Sequence, residues 1–70
     1  MKLTLTFYPK YQPSITLTVV YVPELDNAGM RPYLHVSSNT AYVDWENFKI
    51  FNNTDIKAKK EAFQRLQRID

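Results

Sequence analysis

Two segments near the start of the chain alternate apolar and polar residues with period two, and that pattern constrains the fold more than any other. From Lys2 to Tyr8, Leu3, Leu5 and Phe7 fall on one side and Thr4 and Thr6 on the other. Ser14 to Val22 repeats it, with Ile15, Leu17, Val19 and Tyr21 set against Thr16 and Thr18. Side chains of an extended strand point alternately to opposite faces, so this spacing buries one face and leaves the other to water. The β-branched content suits the pleated backbone. Pro9-Lys10-Tyr11-Gln12-Pro13 between them is short and bounded by prolines, which predicts a β-hairpin. The end of the second strand breaks the rule. Val20 and Val22 are apolar on the face where Thr16 and Thr18 are polar, so something must cover that end: either the chain itself or a partner.

Pro23 ends the strand, and Glu24 to Pro32 reads as a loop holding the only glycine, Gly29. A third strand is expected over Tyr33–Ser38, followed by turn chemistry at Ser37-Ser38-Asn39-Thr40, whose short polar side chains bond their own backbone. Strand-like spacing resumes through Ala41, Val43 and Trp45. Phe48 and Ile50 are then out of step, which implies an interruption near Glu46-Asn47. Trp45, Phe48 and Phe51, spaced by three, would also suit a turn of helix, but two short strand pieces across 41–51 are the favoured reading.

Asn52-Asn53-Thr54-Asp55 supplies a helix cap with an acid in the first turn. No proline or glycine follows, so a helix is predicted over 55–69. Ile56, Ala58, Ala62, Phe63, Leu66 and Ile69 occupy an arc of roughly 160° on it. Lys59 alone among the charged residues falls inside that arc, where its stem can pack and its ammonium reach water. The fold class expected is α+β: an antiparallel meander of three to five strands packed against one C-terminal amphipathic helix in two layers, as a single domain over 1–70.

Seventy residues limit what such a domain can do. A chain this short buries only about 60% of its unfolded surface, and its core supplies only about 3–5 kcal/mol. The absence of cysteine rules out disulfides and thiolate zinc sites, and one histidine makes no histidine cluster. Self-association or a partner would add the missing burial. With no cysteine, no signal-peptide-like segment and no apolar run able to span a bilayer, a soluble cytoplasmic protein is expected, in a host cell's cytoplasm if a mobile element encodes it. The Asn52-Asn53-Thr54 sequon is then a chance match, and the initial Met1 and helical end suggest a complete chain.

Catalysis finds little support. A single glycine excludes glycine-rich phosphate loops, and Ser14, Ser37 and Ser38 sit in ordinary turn or strand-end contexts. His35 is the one group that titrates near neutral pH, and it stands alone on a strand. Asp44 and Glu46, two apart on an expected strand, would share a face as a solvated pair. No enzyme activity, cofactor or metal is expected.

Two binding functions remain. The first is protein binding, as an inhibitor or adaptor of the kind that small phage and mobile-element genes encode, with homodimer formation as an added option. One tryptophan, five tyrosines and four phenylalanines exceed what so small a core needs, and such residues are favoured interface anchors. Val20, Val22, Tyr42 and Phe51 are the candidate surface. The alternative is single-stranded nucleic acid. Up to Asn53, cations and acids cancel; the formal excess of +2 sits on the last segment. Lys57, Lys59, Lys60, Arg65 and Arg68 would track phosphates while Tyr8 and Tyr11, with other sheet tyrosines, stack bases.

Overall fold

The computed structural model describes residues 1–27 and 29–70; Ala28, within the loop expected over Glu24–Pro32, lies outside the described residues. The hairpin forms as the alternation dictates. β1 (Lys2–Phe7) pairs antiparallel with β2 (Ile15–Tyr21), placing Leu3 opposite Val19, Leu5 opposite Leu17 and Phe7 opposite Ile15. At its tip Tyr11 adopts φ 67°, in the left-handed region that favours glycine.

The rest of the sheet is mixed, and the expected antiparallel meander is corrected here. β3 (Tyr33–His35) is antiparallel to β4 (Thr40–Val43), but β4 inserts between β2 and β3 and runs parallel to β2. A 3₁₀ turn at Val36–Ser38, closed by Asn39 in the left-handed conformation (φ 51°), reverses the chain between them. The third strand therefore stops at His35 rather than Ser38. Another 3₁₀ turn, Pro23–Asp26, follows β2 and buries Leu25.

The strand pieces expected across 41–51 are a strand and a helix. After Val43, Asp44 accepts hydrogen bonds from the backbone N–H of Asn47 (3.0 Å) and from its side-chain amide (2.8 Å), capping helix α1 (Trp45–Phe51). The spacing of three then acquires its meaning: Phe48 and Phe51 are both buried, and Trp45 stacks on Phe48 at 5.8 Å.

Asp55 caps helix α2 (Ile56–Gln64) by accepting from the Lys57 N–H at 3.0 Å. This helix is shorter than expected. It ends at Gln64, and Gln67–Ile69 becomes β5, parallel to β3 at the far edge. The Gln67 N–H donates to the Pro32 carbonyl (3.2 Å). The free edge of β3 takes up backbone groups that a further helical turn would have bonded internally. Leu66 is buried here, and on the expected helix it shares a stripe with Ala62 and Phe63, so the apolar pattern does not distinguish the two conformations.

The five strands run in the order β1-β2-β4-β3-β5. Leu17, Val19, Leu34, Ala41 and Val43 from one face of the sheet join Phe48, Phe51, Ala62 and Leu66 in one core cluster. Two helices, not one, thus cover the same face of the sheet. Among the described residues no helix is long and apolar enough to cross a membrane.

Candidate functional site

Strand parity and register determine what the opposite face displays. Lys2, Val20, Tyr42, Tyr33 and Gln67 lie side by side across all five strands. The next row is Thr4, Thr18, Thr40, His35 and Ile69. Val22 continues the parity of Val20 past the end of β2, held by its N–H to the Val43 carbonyl at 2.9 Å. Both helices contribute their buried residues to the other side, so no helix covers these rows. Val20, Val22, Tyr33 and Tyr42 are half-buried. The Tyr33 and Tyr42 rings stack at 5.1 Å with 29° between planes. Lys2 is the only lysine, arginine or carboxylate in either row.

Of the four residues expected to form an apolar surface, Val20, Val22 and Tyr42 come together here. Phe51 does not. It is wholly buried beneath α1, because the helix turns it inward beside Phe48. Tyr33 and Ile69 join the face instead. Tyr33 is legible from its strand, whereas Ile69 reaches the face only because the chain leaves the helix before it.

The cations expected to bind nucleic acid divide between separate places. Lys59 and Lys60 line a groove of about 430 Å³ between β1 and α2, opposite Leu5, Phe7 and Tyr8. Arg65 borders a different cavity with Pro32, Asn47 and Leu66. Arg68 lies 5.2 Å over the Phe63 ring. Lys57 is exposed on α2. Tyr11 is 92% exposed at the hairpin tip with the Lys10 ammonium 5.2 Å from its ring centre. Ile56, expected in the buried arc of the helix, is 64% exposed beside the groove, since α2 begins beyond the reach of the core.

The carboxylates expected to share a strand face are separated by the helix that starts between them. Asp44 is the cap of α1, and Glu46 pairs with Lys49 at 3.4 Å on its exposed side. A third carboxylate has a structural role. Asp26 accepts the Trp45 N–H at 2.9 Å and the Tyr21 hydroxyl, tying the turn after β2 to the start of α1. These bonds, the backbone one first, hold the Asp26 carboxyl below its ordinary value. The bond to Asp26, followed by burial, raises the Tyr21 hydroxyl. At the end of β3, Ser37 Oγ lies 2.9 Å from His35 Nδ1 within an exposed turn. No carboxylate hydrogen-bonds that imidazole among the described residues, and no group of three or more His, Asp or Glu there could hold a metal ion.

Compared with known protein families, curated proteins and solved structures, the chain matches none.

Proposed function

We propose that this chain is a non-catalytic protein-binding module that docks a partner protein on the open face of its sheet. The observation that carries this reading is the registered row Val20–Tyr42–Tyr33, with Val22 beside it, half-buried on the side of the sheet that neither helix occupies. An interface centre is characteristically poor in charge and rich in tyrosine, and these rows have that character. Their threonine rim supplies hydroxyls for the polar margin. Self-association through the same face would equally cover it. An inhibitor or adaptor role suits a chain of this size, whose binding surface is a large part of the whole molecule.

The competing function, single-stranded nucleic acid binding, would rest on Tyr8 with Lys59 and Lys60. It draws less support, because Arg65 and Arg68 lie elsewhere and the two registered rows of the open face carry one cation, Lys2. Tagged chain expressed in its natural host should recover a stoichiometric protein partner, or itself. Val20→Glu or Tyr42→Glu should abolish recovery while Gln12→Glu, at the hairpin tip, does not. Recovery that survives both face variants would refute the proposal. A labelled oligonucleotide bound saturably, with affinity falling steeply as salt rises, would favour the competing function.

A further inference from the structure

The two edges of the sheet differ. β5 offers three residues, but β1 offers six, with no proline or glycine to blunt it. Sheets ordinarily protect so long an edge, because its unpaired backbone groups invite another strand. The Tyr21 N–H donates to the Met1 carbonyl at 2.9 Å. Given the register, Leu3, Leu5 and Phe7 therefore exchange hydrogen bonds with β2, as Met1 does. The N–H and C=O groups of Lys2, Thr4 and Thr6 point away from the sheet.

Beside this edge runs the groove between β1 and α2. Leu5, Thr6, Phe7 and Tyr8 form one wall; Ile56, Lys59 and Lys60 form the other. A second cavity of about 180 Å³ shares Phe7, Tyr8 and Lys60 with it and extends it to Phe63. No carboxylate lines either one. The one salt bridge among the described residues joins Lys49 to Glu46, so Lys59 and Lys60 face the groove without an internal counter-ion. Edge, largely apolar walls and unneutralised cations thus lie together along β1, with Leu5 and Phe7 on the side of the sheet away from the open face.

We propose that β1 is a strand-addition site for an extended acidic segment of another protein. The added strand would bond through the outward groups of Lys2, Thr4 and Thr6. Its alternate side chains, those level with Leu3, Leu5 and Phe7, turn toward the groove. In this mode main-chain bonds supply affinity and alternate pockets supply specificity. Apolar side chains fit beside Leu5 and Ile56, and carboxylates fit at the Lys59–Lys60 end. A second copy of the chain is the poorer occupant. An antiparallel β1–β1 pair centred on Thr4 would set Lys2 of one copy at the same end as Lys59 and Lys60 of the other.

The test uses the full chain and two end-capped, fluorescein-labelled peptides that alternate isoleucine with serine. One ends in two glutamates and the other in two lysines. The acidic peptide should bind saturably by anisotropy and the basic one at least tenfold more weakly. Lys59→Glu with Lys60→Glu should reverse that order. Binding should slow hydrogen exchange at the Lys2, Thr4 and Thr6 amides. Thr4→Pro removes an outward N–H and no bond to β2, so it should weaken binding at least tenfold, while Thr4→Val should not. Tyr42→Glu should leave it unchanged, which separates this site from the open-face function. Equal binding of both peptides, or binding without amide protection on β1, would overturn the proposal. So would loss of binding in a folded Tyr42→Glu chain, displacement of the peptide by oligothymidine, or a dimer of the free chain that Thr4→Pro dissolves.

Discussion

Phe51 provides a sharp test of how this chain is built, because strand and helix put its ring in opposite places. In the structure it is wholly buried within the core cluster and carried there by α1. Truncating a buried phenylalanine to alanine costs about 3–5 kcal/mol, the sum of lost transfer energy and the cavity left behind. A core of this size supplies only about 3–5 kcal/mol in all. Phe51→Ala should therefore be largely unfolded at room temperature. Phe51→Leu keeps an apolar side chain of nearly the same reach, and should cost about 1–1.5 kcal/mol. In so small a domain that is a fall of about 4–12 °C in melting temperature. Urea unfolding can be followed by the fluorescence of Trp45, whose ring stacks on Phe48 one turn before Phe51. The midpoint should fall while the slope stays constant. If Phe51→Ala shifted stability by less than about 0.5 kcal/mol, as surface substitutions do, Phe51 would lie on the surface and α1 would be wrong. Val20→Ala on the open face is the companion measurement. A cost there as large as that of a core truncation would mean that the face is already covered in solution.

Two further predictions concern the elements that position the sites. The Asp26 carboxyl is held low by the Trp45 N–H and the Tyr21 hydroxyl, so its contribution to stability is present above its unfolded pKa and lost as pH falls through its folded pKa. The stability gap between the parent and Asp26→Asn should therefore close in strong acid; a gap independent of pH would refute that linkage. Tyr21 is raised, so its contribution is lost instead as pH climbs through its folded pKa in alkali. For β5, the Gln67 N–H bonds to Pro32, so the Arg68 N–H points away from β3. Arg68→Pro should cost about 1 kcal/mol, chiefly its stacking on Phe63, whereas a helix interior would lose about 3 kcal/mol or more.

The β1–β2 hairpin was legible because its alternation is local and unbroken, and the Asn52–Asp55 run placed the start of α2 within one residue. The cap expected from Asn or Thr is supplied by Asp55, which was expected in the first turn. The parity slip after Val43 was also visible. Its cause was not read from the pattern, because Trp45, Phe48 and Phe51 suit both a turn of helix and an interrupted strand. Asp44 decides between them by capping the backbone rather than facing solvent from a strand. At the candidate site, Val20 and Val22 were legible as apolar residues on a polar parity, and Tyr42 as one of the surplus aromatics. Phe51 was misplaced with them for want of that cap.

By itself, the sequence determined the hairpin, its two faces, the α+β class and the apolar surplus on the face opposite the core. These follow from periodicities that extend over a few residues. The tertiary structure decided the strand order, the end of α2 and the existence of β5. Insertion of β4 between β2 and β3 pairs residues distant in sequence, and no local period encodes it. Gln67–Ile69 leaves the helix because β3 presents an unpaired edge that only the assembled sheet creates. The same assembly leaves the half-buried Val20–Tyr42–Tyr33 row on the side away from both helices and sets Lys59 and Lys60 beside β1, since each element can bury only one of its sides.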